Sequence, residues 1–598
     1  PINFKASYIP SNSLSFQLDE LDIAFISELF SDSGVLVDTD GLQLLEYDLT
    51  GKLENLSVYL PLEEGLNSEI LLKSNITGMD ISSVGGSPAL WGLNGYAQAS
   101  YSQASKVGVG FAEIDSQEFR INLPKIFTNT WEYDRVNGRL NFRLDLNGGQ
   151  ELALASSVIF AESEAIDGEV MFALKDQRIE GKDREAVIEV IAGASRADAE
   201  YKHLYLPDGP NIKQNIRNTM NYLNEAILQG DISRGGVLYR GSSLPEATSS
   251  EKTFQSYFVL SDSEIRFSEE WPVITQISGV VTTDDNNIDI TVDSGNSLGV
   301  DIRNVFGEIR TDELDQNWLR LTGSISGETS VGINYLQSAP LSGGLTETVS
   351  GWETEGGFSA FLNVDVPLEV SSANAEVRLD LSLENNSLVI PDYSLNFSNL
   401  SGPIVFDTKT GLEETQLSGD LFDEAVNVLL DSETREGEVQ KIFVSAEGSV
   451  SKEKLKEWPN QSDFVRSVLD RAEGHFPYTA ELTLNQLGEQ TSHFLNITSD
   501  LSGVSIDLPE PLSKYSSSTM PLSLDFEFGD SLLILGNLGE QLNFVLEIDD
   551  ALENGIVYFG NDHIELSTLM NNEPAGVTVL GNINRVVVED WTELIANL

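Results

Sequence analysis

The chain contains no cysteine, so histidines and carboxylates are the first side chains to consider for metal or acid–base chemistry. Disulfide scaffolds, zinc–thiolate sites and thiol nucleophiles are therefore excluded. The four histidines are His203, His475, His493 and His563. None has a second histidine or a carboxylate at metal spacing on a common element. All four read as surface or strand-edge residues, and no metal is expected. The run DDNNIDITVDSGN from Asp284 has the acidic density of a calcium loop. It lacks glycine at the sixth position and glutamate at the twelfth, so it fails the EF-hand template. It reads as the acidic tip of a hairpin. Asp38, Asp40 and Gly41 read as a turn. The GVG at Gly108 lacks a third glycine and a following helix, so it is no dinucleotide fingerprint. No nucleophile elbow and no Walker loop is present. Carboxylates are too abundant for one acid–base pair to stand out. Nothing in the sequence supports an enzyme, and no cofactor is expected.

Composition narrows the partners. The 598 residues are 40% hydrophobic, enough to build a core. At about 150 residues per domain the length suggests about four domains, although elongated β-proteins break that rule. Against 95 acidic residues there are 35 Lys and Arg, a net charge of −60. Such a chain repels nucleic acid. It gains nothing from an anionic membrane surface. The acidity reads as a solubility device, of the kind a saline habitat favours. No apolar run approaches the ~18 residues of a membrane span. The opening PINF, without an initiator Met or a leader, and the ending DWTELIANL read as the ends of an excised segment.

The elements that must position anything functional are strands. Leu140, Phe142, Leu144 and Leu146 alternate with polar residues, as do Ile288, Ile290 and Val292. The same period of two runs through Val377, Leu379, Leu381 and Leu383. It returns in Leu522, Leu524, Phe526 and Phe528, and in Leu542, Phe544, Leu546 and Ile548. Each such strand is dry on one face and wet on the other. Turn signals every ten to fifteen residues suggest an antiparallel meander. An apolar residue followed by Ser, Thr or Asn and then Gly recurs at Leu49, Ile76, Leu93, Val136, Ile277, Leu321, Leu400, Leu417 and Leu501. Glycine there permits a bulge or a tight turn at a strand edge. The spacing is too irregular for a solenoid repeat.

Helices are few. Leu21, Phe25, Ile26, Leu29 and Phe30 outline a short one. A second is expected from Asp208 to Gln229, with Asp208 as N-cap, Pro210 in the first turn and Gly230 as C-cap. Its stripe is Ile212, Ile216, Met220, Leu223 and Ile227. A third lies around Phe464, Val465, Val468 and Leu469, after the Trp458–Pro459 break. They suggest three regions, 1–204, 205–450 and 451–598, the last two each opened by a helix.

A large set of one-faced strands must do something with its dry face. Two sheets can pack together as an inert sandwich. Alternatively one long sheet can curl and leave its dry face as a groove, which needs an apolar occupant. Burying one CH₂ is worth ~0.8 kcal/mol, so a sixteen-carbon acyl chain gains on the order of 12 kcal/mol before entropy losses. About 35 to 40 strands at ~4.8 Å spacing would span roughly 170 to 190 Å if they formed one unbroken sheet.

Several stretches, in order, resemble one family. YLP at Tyr205, NYLNEAILQG at Asn221 and GVLYRGS at Gly236 are followed by FQSYFVLSDSEIRFSEEW from Phe254. GGFSAFLNVDVPL follows from Gly356, NNSLVIPDYSLNFSNLSGPIVFDTKTGL from Asn385 and SDLSGVSIDLPEPLSK from Ser499. Together they are similar to the YhdP-like branch of the AsmA-like (TamB, YdbH) group of Gram-negative envelope proteins, over about residues 1 to 598. The resemblance implies an elongated, curled antiparallel β-sheet with an apolar groove that bridges the inner and outer membranes through the periplasm. It implies phospholipid as cargo and a role in outer-membrane integrity. It also implies an inner-membrane anchor in a part of the parent protein outside this segment. It carries over no catalytic residue. The dry-face residues named above would line the groove, and the Ile212–Ile227 stripe would either cap it or plug core between two modules. The rivals are a structural or adhesive protein of stacked β-sandwiches without lipid cargo, and a glycan-acting β-solenoid enzyme.

Overall fold

In the computed structural model the described residues are 3–10, 12–24, 48–62, 69–147, 151–178, 184–212, 214–242, 251–266, 269, 271–312, 316–338, 351–368, 376–391, 394–435, 438–458, 463–485, 493–528, 532–548, 552–560, 576–583, 585, 587–589 and 591–592. Among the described residues 71% are strand and 10% helix, so the mainly-β expectation holds. Of 33 strands among the described residues, 31 belong to one sheet. The other two, Ala472–Glu473 and Ser505–Ile506, pair with each other. The pairings traced below are antiparallel, whereas Leu552–Phe559 pairs with Gly576–Gly581 in parallel. The chain divides into two compact units. The first is 1–269, 273–296 and 304–315. The second is 270–272, 297–303 and 316–598.

Directly opposed residues of an antiparallel ladder point to the same side, so register traces each face. In the first unit one line of partners is Ala6, Phe16, Val58, Leu72, Ala99, Gly110, Phe142, Leu154, Leu174, Ile188 and Gly241. No polar side chain interrupts it across eleven strands. A line on the other side is Glu20, Glu54, Asn75, Tyr96, Glu113 and Arg139. In the second unit Leu417, Val428, Ala446, Ala480, Ile497, Leu524, Gly536, Phe544 and Val557 make a comparable apolar line. Its wet side carries surface ion pairs such as Arg320–Asp365 at 3.2 Å and Lys409–Glu376 at 2.7 Å. Each contributes about 0–1 kcal/mol. The hydrophobic pattern, rather than the ion pairs, sets the register.

The apolar–Ser/Thr/Asn–Gly signature marks bulges inside strands, not turns at their ends. Ile76, Leu93, Val136, Ile277, Leu321, Leu400 and Leu417 all lie within strands, and of the nine only Leu49 opens one and Leu501 falls in a turn. Seven of the nine are buried, the exceptions being Leu49 and Leu321. Register shifts occur beside these signatures, between Ile76 and Met79 and between Trp91 and Gly95. A bulge puts an extra residue in one strand, which would turn the following side chains to the wrong side. The sequence compensates. Ala112 and Ile114 are even-numbered, and beyond Glu118, at φ +55°, Phe119 and Ile121 are odd. Leu381 and Leu383 give way to Leu388 and Ile390 beyond Asn385, at φ +54°. The apolar residues therefore stay on one side: Phe119 and Val136 belong to one buried cluster, and Ile114 packs against it. Backbone groups exposed by a bulge are met by buried hydroxyls. Ser116, fully buried, accepts from Asn94 N at 2.8 Å and donates to Asn94 O at 3.2 Å. Ser74 donates to Glu54 O at 3.0 Å, next to Asn55 at φ +54°.

Among the described residues five α-helices are defined: Lys202–Tyr205, Gln214–Ala226, Thr329–Ser338, Lys452–Glu457 and Asp463–Asp470. In the second unit, alternate connections of the ladder put Thr329–Ser338 and the Lys452–Asp470 pair at the same strand ends. The expected Asp208–Gln229 helix is shorter at both ends. Asp208 is taken by Thr128, whose backbone N donates at 2.8 Å and whose hydroxyl also donates. Ile227 opens a strand, pairing with Ile265, and Gly230 lies within that strand against Ser263 rather than capping a helix. Of the expected early helix, Leu21 is in the strand Ser13–Asp22, and Phe25, Ile26, Leu29 and Phe30 lie outside the described residues.

Glycine is required where a bulge brings two backbones together. A Cβ on Gly419 would sit 2.8 Å from Leu400 Cδ2 and 2.9 Å from Ser398 O. On Gly357 the nearest atom would be 3.6 Å away. Gly419→Ala is expected to destabilise the protein by about 1–3 kcal/mol, the usual result of overpacking. Gly357→Ala should stay within about 0.5 kcal/mol. Urea unfolding of the two variants checks this, and equal effects would mean the bulges are not tightly packed.

Candidate functional site

The dry-face residues picked out by alternation fall on the faces traced above. Leu140, Phe142 and Leu144 oppose Ala112, Gly110 and Gly108, and Leu146 follows the strand end. Ile288, Ile290 and Val292 oppose Thr283, Val281 and Gly279. The stretch DDNNIDITVDSGN is a hairpin whose tip is Asp285–Asn286, as its composition suggests. Val377, Leu379, Leu381 and Leu383 oppose Val364, Leu362, Ala360 and Phe358. Leu522, Leu524, Phe526 and Phe528 oppose Leu538, Gly536, Ile534 and Leu532, which in turn oppose Leu542, Phe544, Leu546 and Ile548. These nineteen side chains are half-buried except Val377 and Leu383, at 8% and 9% exposure. A sandwich core would bury them nearly all. A bare face would leave them exposed.

Covering layers sit at the bulged strand ends. In the first unit the segment 199–212 is tied to the loop before Thr130–Asp145. Trp131 Nε1 donates to Leu204 O at 2.8 Å, and the Trp131 and Tyr205 rings stand 5.3 Å apart. Burial pushes the Asp208 carboxyl up, but hydrogen bonds from Thr128 outweigh it and its pKa falls. In the second unit Val331 and Tyr335 of the Thr329–Ser338 helix pack on Val300, Phe358, Ala360 and Leu383. Further along, the segment 500–521 brings Leu501, Val504 and Met520 against Ala472, Phe476, Leu522 and Leu538. It is pinned by Lys514, which is buried and donates to Val504 O at 2.7 Å. Burial pulls the Lys514 ammonium down, and nearby Asp500 opposes that.

Alternation missed several of these pieces. The Thr329–Ser338 helix carries only two apolar contact residues four apart, beside Gly332, too faint a stripe to read. The stripe that was legible is less covered: Ile216 is exposed, while Ile212, Met220 and Leu223 are half-buried. The last strands have a second dry side. Val545, Ile556 and Tyr558 are buried together on the face opposite Phe544 and Leu546. Two shallow hollows also open on the wet side. One, of about 300 Å³, is lined by Phe494, Asp525, Glu527 and Leu535, and the other, of about 400 Å³, by Met171, Ile191, Leu238 and Tyr257.

No group of metal-ligating side chains occurs among the described residues. His475 lies 3.8 Å from the Glu424 carboxylate, and His563 is outside the described residues. His493 is the histidine on the dry face, opposite Phe528, and its Nδ1 has no partner among the described residues. Burial holds its pKa below the usual value of 6.5. The unfolded chain therefore binds a proton at a pH where the folded one does not, and stability rises with pH up to about 6.5. His493→Leu should lose that rise, so its advantage in Tm over the native chain should shrink between about pH 5 and pH 7. Parallel calorimetric curves would show that His493 does not titrate with folding.

No helix among the described residues is long and apolar enough to cross a membrane. The model of the YhdP family, described as YhdP protein, matches residues 1–598. Among curated proteins the chain is similar to the intermembrane phospholipid transporter YhdP of Escherichia coli strain K12, with 25% identity over 364 residues. That match takes in 59% of this chain and 27% of the relative, so the chain spans well under two thirds of the relative's length. No solved structure matches. On the full-length family match, this chain belongs to the YhdP family.

Proposed function

We propose that the chain is part of a periplasm-spanning carrier that passes phospholipid between the inner and outer membranes, with acyl chains lying along the dry face. The observation that supports this reading is the uninterrupted apolar line across nine strands in the second unit, buried at Leu417, Val428, Ala446 and Gly536 and half-buried at Ala480, Ile497, Leu524, Phe544 and Val557. The relative's name as an intermembrane phospholipid transporter supports the choice of cargo.

The mechanism is passive shielding. Each CH₂ taken from water contributes ~0.8 kcal/mol, and a chain shifted by one strand meets the same kind of surface. The gain is large in total and nearly level from strand to strand, so a lipid is held without being trapped. No nucleophile, acid or base takes part. The wet face, with its excess of carboxylates, keeps the assembly in water. Anchoring to the inner membrane belongs to other parts of the parent protein, and support of outer-membrane integrity follows from delivery. The structural β-sandwich reading needs a second sheet over the dry face. Among the described residues the only strands outside the large sheet are the short pair Ala472–Glu473 and Ser505–Ile506.

Photo-crosslinkers test the face assignment. At Phe142 or Leu381 they should capture labelled phospholipid, and at the adjacent Arg143 or Asp380 they should not. Lipid extraction and mass spectrometry of the purified, folded protein should also recover phospholipid. A folded protein free of lipid, or equal capture at all four positions, would sink the proposal.

A further inference from the structure

The wet face of the second unit carries a stretch that is not wet. Leu429, Phe443, Phe494 and Leu535 lie there between 36% and 42% exposed, each next in sequence to a residue of the dry face. Register brings them together across the sheet. Phe443 opposes Thr483, and Thr483 opposes Phe494. Glu527 stands opposite Phe494, and Asp525 opposite Leu535. On its other side Leu535 opposes Val545, which is fully buried with Ile556 and Tyr558. The four side chains are thus the open margin of an apolar region that is covered further along. Exposed aromatic and aliphatic groups on a face that otherwise takes water mark a contact surface.

The charge around them has one sign. Glu481, Asp525 and Glu527 border the hollow of about 300 Å³ that holds Phe494 and Leu535, and Asp431 opposes Phe443. None of these four carboxylates has an ion-pair partner among the described residues. Lys441, two positions from Phe443 on the same face, is taken by Glu433 at 3.8 Å. The strands His475–Asn485, His493–Ser499, Leu522–Phe528 and Leu532–Leu538 contain no Lys or Arg. Such a surface repels an anionic membrane. It attracts a protein that brings cations beside apolar groups, and a cation over an exposed Phe ring adds to the attraction.

Spacing narrows the shape of that partner. Phe443 and Phe494 are two strands apart, about 9.6 Å across the sheet. Residues seven apart on one face of a helix are separated by about 10.5 Å. A helix laid across the strands therefore meets both rings from a single apolar face.

We propose that this patch docks a cationic amphipathic helix of a partner protein. The apolar face of that helix rests on Phe443, Phe494 and Leu535, and its flanking Lys or Arg side chains reach Glu481, Asp525, Glu527 and Asp431. The patch lies on the opposite side of the sheet from the proposed lipid path. Docking and cargo do not compete, and the inference does not rest on the phospholipid reading.

Two Leu–Lys peptides of about five helical turns test it on the native protein. One gathers its Leu residues on a single helical face. The other has the same composition with Leu scattered around the helix, so the two differ in amphipathicity and not in charge. Each carries a photoactivatable leucine, and labelled sites are mapped by mass spectrometry. The amphipathic peptide should bind about tenfold tighter or better and should label the strands that hold Phe443, Phe494 and Leu535. Phe494→Ser should weaken that binding by about tenfold. Glu481→Gln combined with Glu527→Gln should weaken it and flatten its salt dependence. Ile191→Ser, at the other wet-side hollow, should change neither. Absence of binding, equal binding of the two peptides, labelling confined to the dry face, or native affinity in Phe494→Ser overturns the proposal. Labelling of Phe494 by a photoactivatable phospholipid in vesicles would make the patch a membrane surface and overturn it equally.

Discussion

The interaction on which the structure depends is the cross-strand match of apolar side chains, held in register over strand after strand. Side chains alternate with a period of two, so a slip of one residue would carry a whole strand's hydrophobic set into water. For a strand such as Glu376–Ile390 that would expose four or more aliphatic side chains at about 25 cal/mol per Å². Backbone pairing alone has no such preference. The dry face is both the cargo surface of the proposed mechanism and the device that specifies the pairing, and substitutions there act on register as well as on lipid.

Bulges are where this arrangement is most constrained. Each one would reverse the faces, and each is answered by a change of phase in the sequence, at Glu118 and at Asn385 among others. The same positions bury a small hydroxyl, as at Ser74 and Ser116, to satisfy the displaced backbone. Bulges bend a strand and raise its twist. A row of them near one set of strand ends concentrates bending there, and it is there that the helices and the 500–521 segment dock. Curvature and covering layers thus share an origin in the recurring apolar–Ser/Thr/Asn–Gly signature.

Much of this was legible in the sequence, and the failures have physical causes. Alternation found the faces because burial on one side alone leaves a strong period. The acidic run at Asp284 was readable as a hairpin tip because turn chemistry is local. The glycine signature was readable only as a bulge or an edge turn, since its position within a strand depends on the partner strand. Helix ends went wrong where tertiary partners competed: Thr128 captured the intended cap Asp208, and Ile265 drew Ile227 into a strand. The Thr329–Ser338 helix left too little trace, because its contact rests on glycines and one aromatic ring. The second dry side at Val545 and Ile556 was overlooked because a strand apolar on both faces shows no alternation.

The strong negative charge can be placed within the same physics. A sheet that leaves a broad hydrocarbon face only half-covered is an association hazard unless its other surfaces resist approach. Like charges on the wet face raise the cost of bringing two copies together, and the dry face contributes few of them, Asp176 opposite Leu152 being one. Carboxylates suit this role better than ammonium groups, which would attract the anionic phosphates of the cargo to the wrong side of the sheet. On this argument the acidity divides the two faces: the side proposed to hold acyl chains carries few charges, and the other carries an excess of one sign that discourages a second protein from covering the first.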